Sequence, residues 1–342
     1  MAITAGYDVG GAHLKIALTE GGRILAAVQI PCPLWLGLDR LDAAFRQASP
    51  LTSRARRHAA TMTGELCEIF PDRATGVRTL IDRITKIVGP ETRVWMGPCG
   101  FGSADEARGD PTTVASTNFL ASAELVAQLL GDGLLVDMGS TTTDIIPVVS
   151  GTPCPRGLTD GDRLATSELV YSGLTRTDVA TVAHAAIFKQ RPQRLAAGRF
   201  ATMADVRRVL GELPDGIDQH STADRRGTSL PESMARLARA FGRDGGDAGL
   251  DDWRTAARAI ADRQMGDIKT ACAQVLTATP VRADAPIVAA GIGAPLLAAL
   301  AADLGRPCLP YADLVDAAPD ARVWVTRCAP AVAVALLAGA VG

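Results

Sequence analysis

Two short segments of one design constrain this chain more than any other feature. They are Tyr7-Asp8-Val9-Gly10-Gly11-Ala12-His13-Leu14-Lys15 and Val136-Asp137-Met138-Gly139-Ser140-Thr141-Thr142-Thr143-Asp144, about 130 residues apart. Each reads as an apolar strand ending in Asp, a Gly two residues on, small residues, then a second strand. A tight turn with small side chains lets backbone N–H groups close on an anion. An Asp at the strand end suits a hydrated Mg²⁺ that bridges phosphate oxygens. One such turn is most often only a turn. Two of them predict facing hairpins that clamp phosphate. Gly10, Gly11 and His13 then serve one side, and Gly139, Ser140, Thr141 and Thr142 the other. Asp8 and Asp137 are the candidate metal ligands. A third segment, Val288 to Leu296, reads as a strand, a Gly-rich turn and a helix start. It adds Gly291 and Gly293 to the phosphate-binding set. Alone it is weak, because the third Gly of a dinucleotide fingerprint is missing.

The flanking periodicities agree with an α/β chain. Residues 3–30 read as a β-meander, closed by Pro31 and Pro33. Helical spacing of apolar residues covers 36–47, 76–88 and 114–130, with short strands at 57–63 and 93–96. Strands at 134–137 and 144–149 flank the second turn. Beyond Gly151 the chain reads as mainly helical, over 167–179, 203–210, 231–241 and 252–277. Ser229 with Glu232 has capping-box spacing. Residues 214–227 are polar and turn-rich, a linker or a functional loop. Mixed α/β character returns at 284–342. The expected division is 1–133 for a first lobe and 134–342 for a second, with a helical insertion at about 167–280 and the Gly-rich turn at 291–293.

Composition narrows the function classes. Lys plus Arg is 35 and Asp plus Glu is 37, for a net charge of −2. That balance argues against a nucleic-acid partner, which would bring a basic surplus. The longest apolar run, 329–342, is shorter than the ~20 residues of a membrane span and reads as a buried helix. Seven scattered cysteines without a Cys-x-x-Cys pair exclude a zinc ribbon and suggest a reducing, cytoplasmic setting. His13, His58, His184 and His220 lack helix-borne zinc spacing. Trp35, Trp95, Trp253 and Trp324 are too dispersed for a visible stacking platform. Only four of the basic residues are lysines, and Lys15 alone lies beside a phosphate turn. By period two its side chain shares a face with that of His13.

The three turns in this order resemble the actin, sugar-kinase and heat-shock ATPase superfamily. The resemblance implies an actin-like ATPase (ribonuclease H-like) fold, with two lobes around a central cleft. Its nearest broad branch is the hydantoinase and oxoprolinase group, whose loops read Asp-x-Gly-Gly-Thr. Here Ala12 replaces the Thr and Ser140 the second Gly, which counts against ATP-driven ring opening. Further segments are Thr61-Met62-Thr63-Gly64-Glu65-Leu66, Ala115-Ser116-Thr117-Asn118-Phe119 and Ser221-Thr222-Ala223-Asp224. With these, the chain looks like the small hydantoinase-related proteins of tetrahydromethanopterin-linked one-carbon pathways. Similar archaeal proteins are methanofuran-biosynthesis synthases. They join an aminomethyl-furanmethanol diphosphate to the phenol of γ-glutamyl-tyramine and release pyrophosphate.

The resemblance therefore implies a furan diphosphate and a phenolic acceptor as small-molecule partners, with Mg²⁺ as cofactor. ATP is compatible but not required. Neither nucleic acid nor membrane is expected, and a homo-oligomer stays open. Lys15 is the candidate for neutralising the diphosphate. Asp144 and Asp224 are the candidate bases for the phenol, whose free pKa is about 10. Glu65, Asn118 and Thr222 are candidate substrate contacts through the resemblance alone. Two other classes stay open: an ATP-dependent small-molecule kinase on the same fold, and a non-catalytic nucleotide sensor.

Overall fold

The computed structural model describes residues 2–340. The chain forms two α/β lobes around a cleft. Strands β1 (Thr4–Val9), β2 (His13–Glu20) and β3 (Arg23–Pro31) make an antiparallel meander, as the sequence predicts. Then come α1 (Asp39–Thr52), β4 (Arg57–Met62), α2 (Arg73–Val88), β5 (Arg93–Trp95), β6 (Phe101–Gly102) and α3 (Ala104–Gly109). The first sheet runs β3-β2-β1-β4-β5-β6, with β4 parallel to β1 and β5 parallel to β4. Such parallel neighbours need crossovers, which α1 and α2 supply. The α2 helix starts where the Asp72 carboxylate accepts the Thr75 N–H at 2.7 Å. Its apolar stripe of Val77, Leu80, Ile81 and Ile84 is buried against the sheet.

Helix α4 (Asn118–Leu130) leads into the second lobe, where β7 (Gly133–Met138) and β8 (Thr143–Val149) repeat the hairpin plan. After them lie β9 (Thr152–Pro153), α5 (Asp160–Ala165) and β10 (Leu169–Val170). The insertion holds α6 (Val179–Val182), β11 (Ala185–Phe188), β12 (Arg191–Arg194), α7 (Met203–Leu210), α8 (Leu230–Ala240) and α9 (Leu250–Ala278). The chain ends with β13 (Ile287–Ala290), α10 (Leu297–Asp303), β14 (Cys308–Pro310), α11 (Arg322–Arg327) and α12 (Ala329–Ala340). The second sheet runs β10-β8-β7-β13-β14, with β9 on β8. Its central strand has an antiparallel neighbour on one side and a parallel one on the other, as in the first sheet.

Two departures from the periodicity have physical causes. Residues 167–178 form no helix. They add β10 to the edge of β8 and then run irregularly beneath the second turn. The Leu174 N–H donates to Gly139 O at 2.9 Å and the Arg176 N–H to Ser140 O at 2.8 Å. Gly173 permits this approach, since a Cβ there would lie 2.5 Å from the Ser140 carbonyl carbon. Pairing to the turn outweighs local helical spacing. The second departure is α12, which sequence order puts with 134–342. It packs on β1, β2 and β4 of the first sheet and on α4. Apolar on all sides and buried, it lies between the lobes. Among the described residues no single helix is long and apolar enough to cross a membrane.

Candidate functional site

The two turns face one cleft of about 270 Å³. They close alike. The Gly10 N–H donates to His13 O at 3.0 Å, and the Gly139 N–H donates to Thr142 O at 2.9 Å. Each hairpin register sets one residue across from its strand-end Asp: Lys15 across from Asp8, and Asp144 across from Asp137. The N–H groups of Gly11, Ser140 and Thr141 make no backbone hydrogen bond. All three residues line the cleft and can meet an anion there.

The acidic floor is crowded. Asp8 and Asp137 are buried, and the Lys15 ammonium lies 3.4 Å from Asp8 Oδ2. Asn118 Nδ2 donates to Asp8 Oδ1 at 3.4 Å. Burial raises the Asp8 carboxyl above the usual range, against the pull of Lys15 and Asn118. Burial, together with Asp144 and Asp8, pushes Asp137 up to about 7 despite Lys15. Burial works against the Lys15 charge, yet Asp8 and Asp137 together hold its proton more firmly than usual. Asp144 is bound to the Arg163 guanidinium at 2.6 Å. Arg163 is itself buried, laid over the Phe119 ring at 3.6 Å, and gives its other bond to Glu168 O at 3.0 Å.

This floor therefore carries Asp8, Asp137 and Asp144 against Lys15 and Arg163. Burial is the main reason Asp137 is raised, and the surplus carboxylate adds to it. Among the described residues no group of three or more His, Cys, Asp or Glu side chains forms a closed metal cage. Mg²⁺ ordinarily keeps several waters and takes only one or two carboxylates beside substrate phosphates. The donor set of Asp8 and Asp137, short of one positive charge, fits that mode.

The third turn plays a different part from the one its sequence suggests. The Gly291 N–H is spent on Thr326 O at 2.8 Å, and the Gly293 N–H on Met138 O at 2.9 Å. Gly291 takes a positive φ of 82°, and a Cβ on it would lie 2.3 Å from Met138 O. Gly293 thus ties β13 to the second hairpin, Gly291 packs against Met138 and bonds to α11, and Ile292 is the residue of this turn that lines the cleft.

Asp224 and Thr222 also stand elsewhere. The Asp224 carboxylate pairs with Arg236 at 3.1 Å and Arg239 at 3.8 Å. The Thr222 hydroxyl donates to Arg226 O at 2.7 Å. Neither lines the cleft; both stiffen residues 214–227. Buried Glu65 accepts from the Ser116 hydroxyl at 2.9 Å, and Ser116 lines the cleft. Burial raises the Glu65 carboxyl. Its contribution is to orient Ser116.

Some residues of the site left no mark in the sequence. The 214–227 loop returns to the first lobe, where His220 Nε2 meets His13 Nε2 at 3.1 Å. Gln29 Nε2 donates to Gln219 Oε1 at 3.3 Å. Burial, helped by Arg176, lowers the His220 ring to about 4. Burial, then His220, Lys15 and Arg176, hold His13 well below its usual value. Trp35, Arg163, Arg176 and Arg327 line the cleft as well. The polar, turn-rich run was the one signal for His220. Nothing singled out these arginines in a chain so rich in Arg.

Two sheets of one plan, each bringing an Asp-x-Gly hairpin to a shared cleft, define a protein of the actin-like ATPase fold. The hydantoinase/oxoprolinase family profile matches residues 56–311. The chain belongs to that family. It is 32% identical over 235 residues to the (4-{4-[2-(gamma-L-glutamylamino)ethyl]phenoxymethyl}furan-2-yl)methanamine synthase of Methanocaldococcus jannaschii, covering 68% of this chain and 70% of that one. It is 34% identical over 118 residues to the synthase of the same name from Methanococcus vannielii. That match covers 34% of this chain and about half (53%) of the relative. Among solved structures, a nucleotide-free acetone carboxylase chain superposes with a TM-score of 0.62 at 11% identity, covering 98% of this chain and 70% of that one.

Proposed function

We propose that this protein is a methanofuran- or methylofuran-forming synthase. In this reading it condenses an aminomethyl-furanylmethyl diphosphate with the phenol of a γ-glutamyl-tyramine or tyrosine-type acceptor. The carbon–oxygen bond to the diphosphate breaks, and pyrophosphate leaves with the electron pair. The phenolic oxygen forms the new ether bond, and its proton passes to a base. The electron-rich furan stabilises the developing cation, so catalysis rests on stabilising the leaving group. The observation that carries the reading is the pair of hairpins around one under-neutralised carboxylate pair, with free N–H groups beside it. The relatives' name, which describes such a phenoxymethyl-furan ether, supports it.

The geometry supports the following roles. Gly11, Ser140 and Thr141 donate N–H groups to phosphate oxygens. Asp8 and Asp137 would hold Mg²⁺, which would spread the charge of the leaving diphosphate. Lys15 sits beside Asp8 and favours the charged form of both carboxylates against the burial that raises them. Of the two candidate bases, Asp144 lines the cleft and Asp224 does not, so Asp144 takes the phenolic proton. Asn118 orients Asp8.

The test omits ATP. Pure protein is incubated with the furanylmethyl diphosphate, glutamylated tyramine and Mg²⁺, and pyrophosphate and ether are measured. Both are expected. Asp8→Asn and Asp137→Asn should each slow turnover at least about tenfold with folding unchanged. Absence of product, with phosphate transfer on adding ATP, replaces the synthase reading with that of a kinase.

A further inference from the structure

The cations of the cleft differ in how far their charge is already used. Lys15 faces Asp8. Arg163 is bound to Asp144 and Glu168 O. Two arginines remain. The Arg176 guanidinium lies 4.3 Å from the Trp35 ring centroid, and that of Arg327 lies 4.9 Å from the Trp324 centroid. Both line the cleft. Among the described residues neither forms an ion pair with a carboxylate, nor a side-chain hydrogen bond. Both are only half-buried.

Their places in the chain fit a shared role. The Arg176 backbone N–H is fixed to Ser140 O of the second hairpin. Arg327 follows Thr326, whose carbonyl holds the Gly291 N–H. One arginine thus flanks the second loop and the other flanks the third turn. A guanidinium held over an indole by a cation–π contact keeps its N–H groups unspent. Such an edge matches phosphate or carboxylate oxygens in bidentate fashion. Burial holds both guanidiniums below their usual value, as expected of charges lacking a counter-ion.

We propose that Arg176 and Arg327 are the anion receptors of this cleft, and that they, and not Lys15, meet the phosphate oxygens of the diphosphate. The identity of the anion rests on the function proposed above; the receptor role does not. An acceptor carboxylate shares the same chemistry, so the experiment separates the two sources.

Titration calorimetry with the full chain and Mg²⁺ measures binding of inorganic pyrophosphate and, separately, of L-glutamate. Arg176→Met and Arg327→Met should each weaken pyrophosphate binding at least about tenfold, with melting temperatures close to the parent. Arg176→Lys should fall in between, because it keeps the charge and loses the fork. Arg254→Met, on a surface pair with Asp251, should change nothing. Parental pyrophosphate affinity in both Met variants overturns the proposal. Arginine-dependent glutamate binding without arginine-dependent pyrophosphate binding overturns the diphosphate assignment. Arginine-dependent pyrophosphate binding by a protein that forms no ether supports the receptor role and removes the synthase reading instead.

Discussion

Lys15 and Asp144 hold the same position in two hairpins of one design, and the difference between them sets the electrostatics of the cleft. In the first hairpin the residue facing the strand-end Asp neutralises it; in the second it adds a like charge. Removing Lys15 leaves Asp8 and Asp137 buried without their cation. Lys15→Met should therefore cost on the order of 3 kcal/mol in urea unfolding. The loss should be larger at pH 8 than at pH 5, since protonating a carboxylate relieves it. An equal loss at both would show that the side chain matters only for packing. Gly291 is the other residue whose identity is forced. Its positive φ and its contact with Met138 O leave no room for a Cβ. Gly291→Ala should destabilise by roughly 2 kcal/mol or more, read by the same measurement.

Between elements, close approach decides where α12 sits. A Cβ on Gly6 would lie 2.2 Å from Ala331 O and 2.7 Å from Ala335 N, so β1 and α12 touch through backbone. Gly6→Ala should push them apart and lower the melting temperature by several degrees. An unchanged melt would mean that the helix can shift freely. The 214–227 loop is the second element-scale feature. His220 titrates at about 4 in the folded chain and near 6.5 when unfolded. Over that window the unfolded state binds the extra proton, so stability is full above pH 6.5 and falls as pH drops toward 4. His220→Gln should flatten this slope by about 1–2 kcal/mol. Hydrogen exchange in the loop should report the same change, and an unaltered slope would remove His220 as its cause. The sequence marked this loop as polar and turn-rich, a linker or a functional loop. Its partner, His13, stands 207 positions away, beyond anything local spacing reports.

At the scale of the whole molecule, the two lobes are joined by α4, by α12 and by the loop that reaches from the insertion to Gln29 and His13. Cutting the loop's hold should open the cleft. The double variant Gln219→Ala with His220→Ala should speed proteolysis within 214–227 several-fold and leave the melting of the lobes almost unchanged. Slower or unaltered cleavage would argue that the loop is held by its arginine pairs alone. Legibility differed by range. The meander, α2, α8 and both hairpins were readable because their signals lie within a few residues: alternation, caps and turn glycines. The run at 167–178 carries helical spacing yet forms no helix, because its partner, the Ser140 turn, is distant in sequence.

The sequence by itself determined the two Asp-x-Gly hairpins, the α/β alternation around them and the shared face of His13 and Lys15. Backbone stereochemistry and strand periodicity act locally, so a one-dimensional pattern carries them. Only the tertiary structure decided which charges are free. Packing spent Lys15 on Asp8, Arg163 on Asp144 and Asp224 on Arg236, and left Arg176 and Arg327 on their tryptophans. It also spent the Gly291 and Gly293 N–H groups on Thr326 O and Met138 O. Charge pairing and close approach depend on distance in space, and the chain reveals that distance only once it has folded.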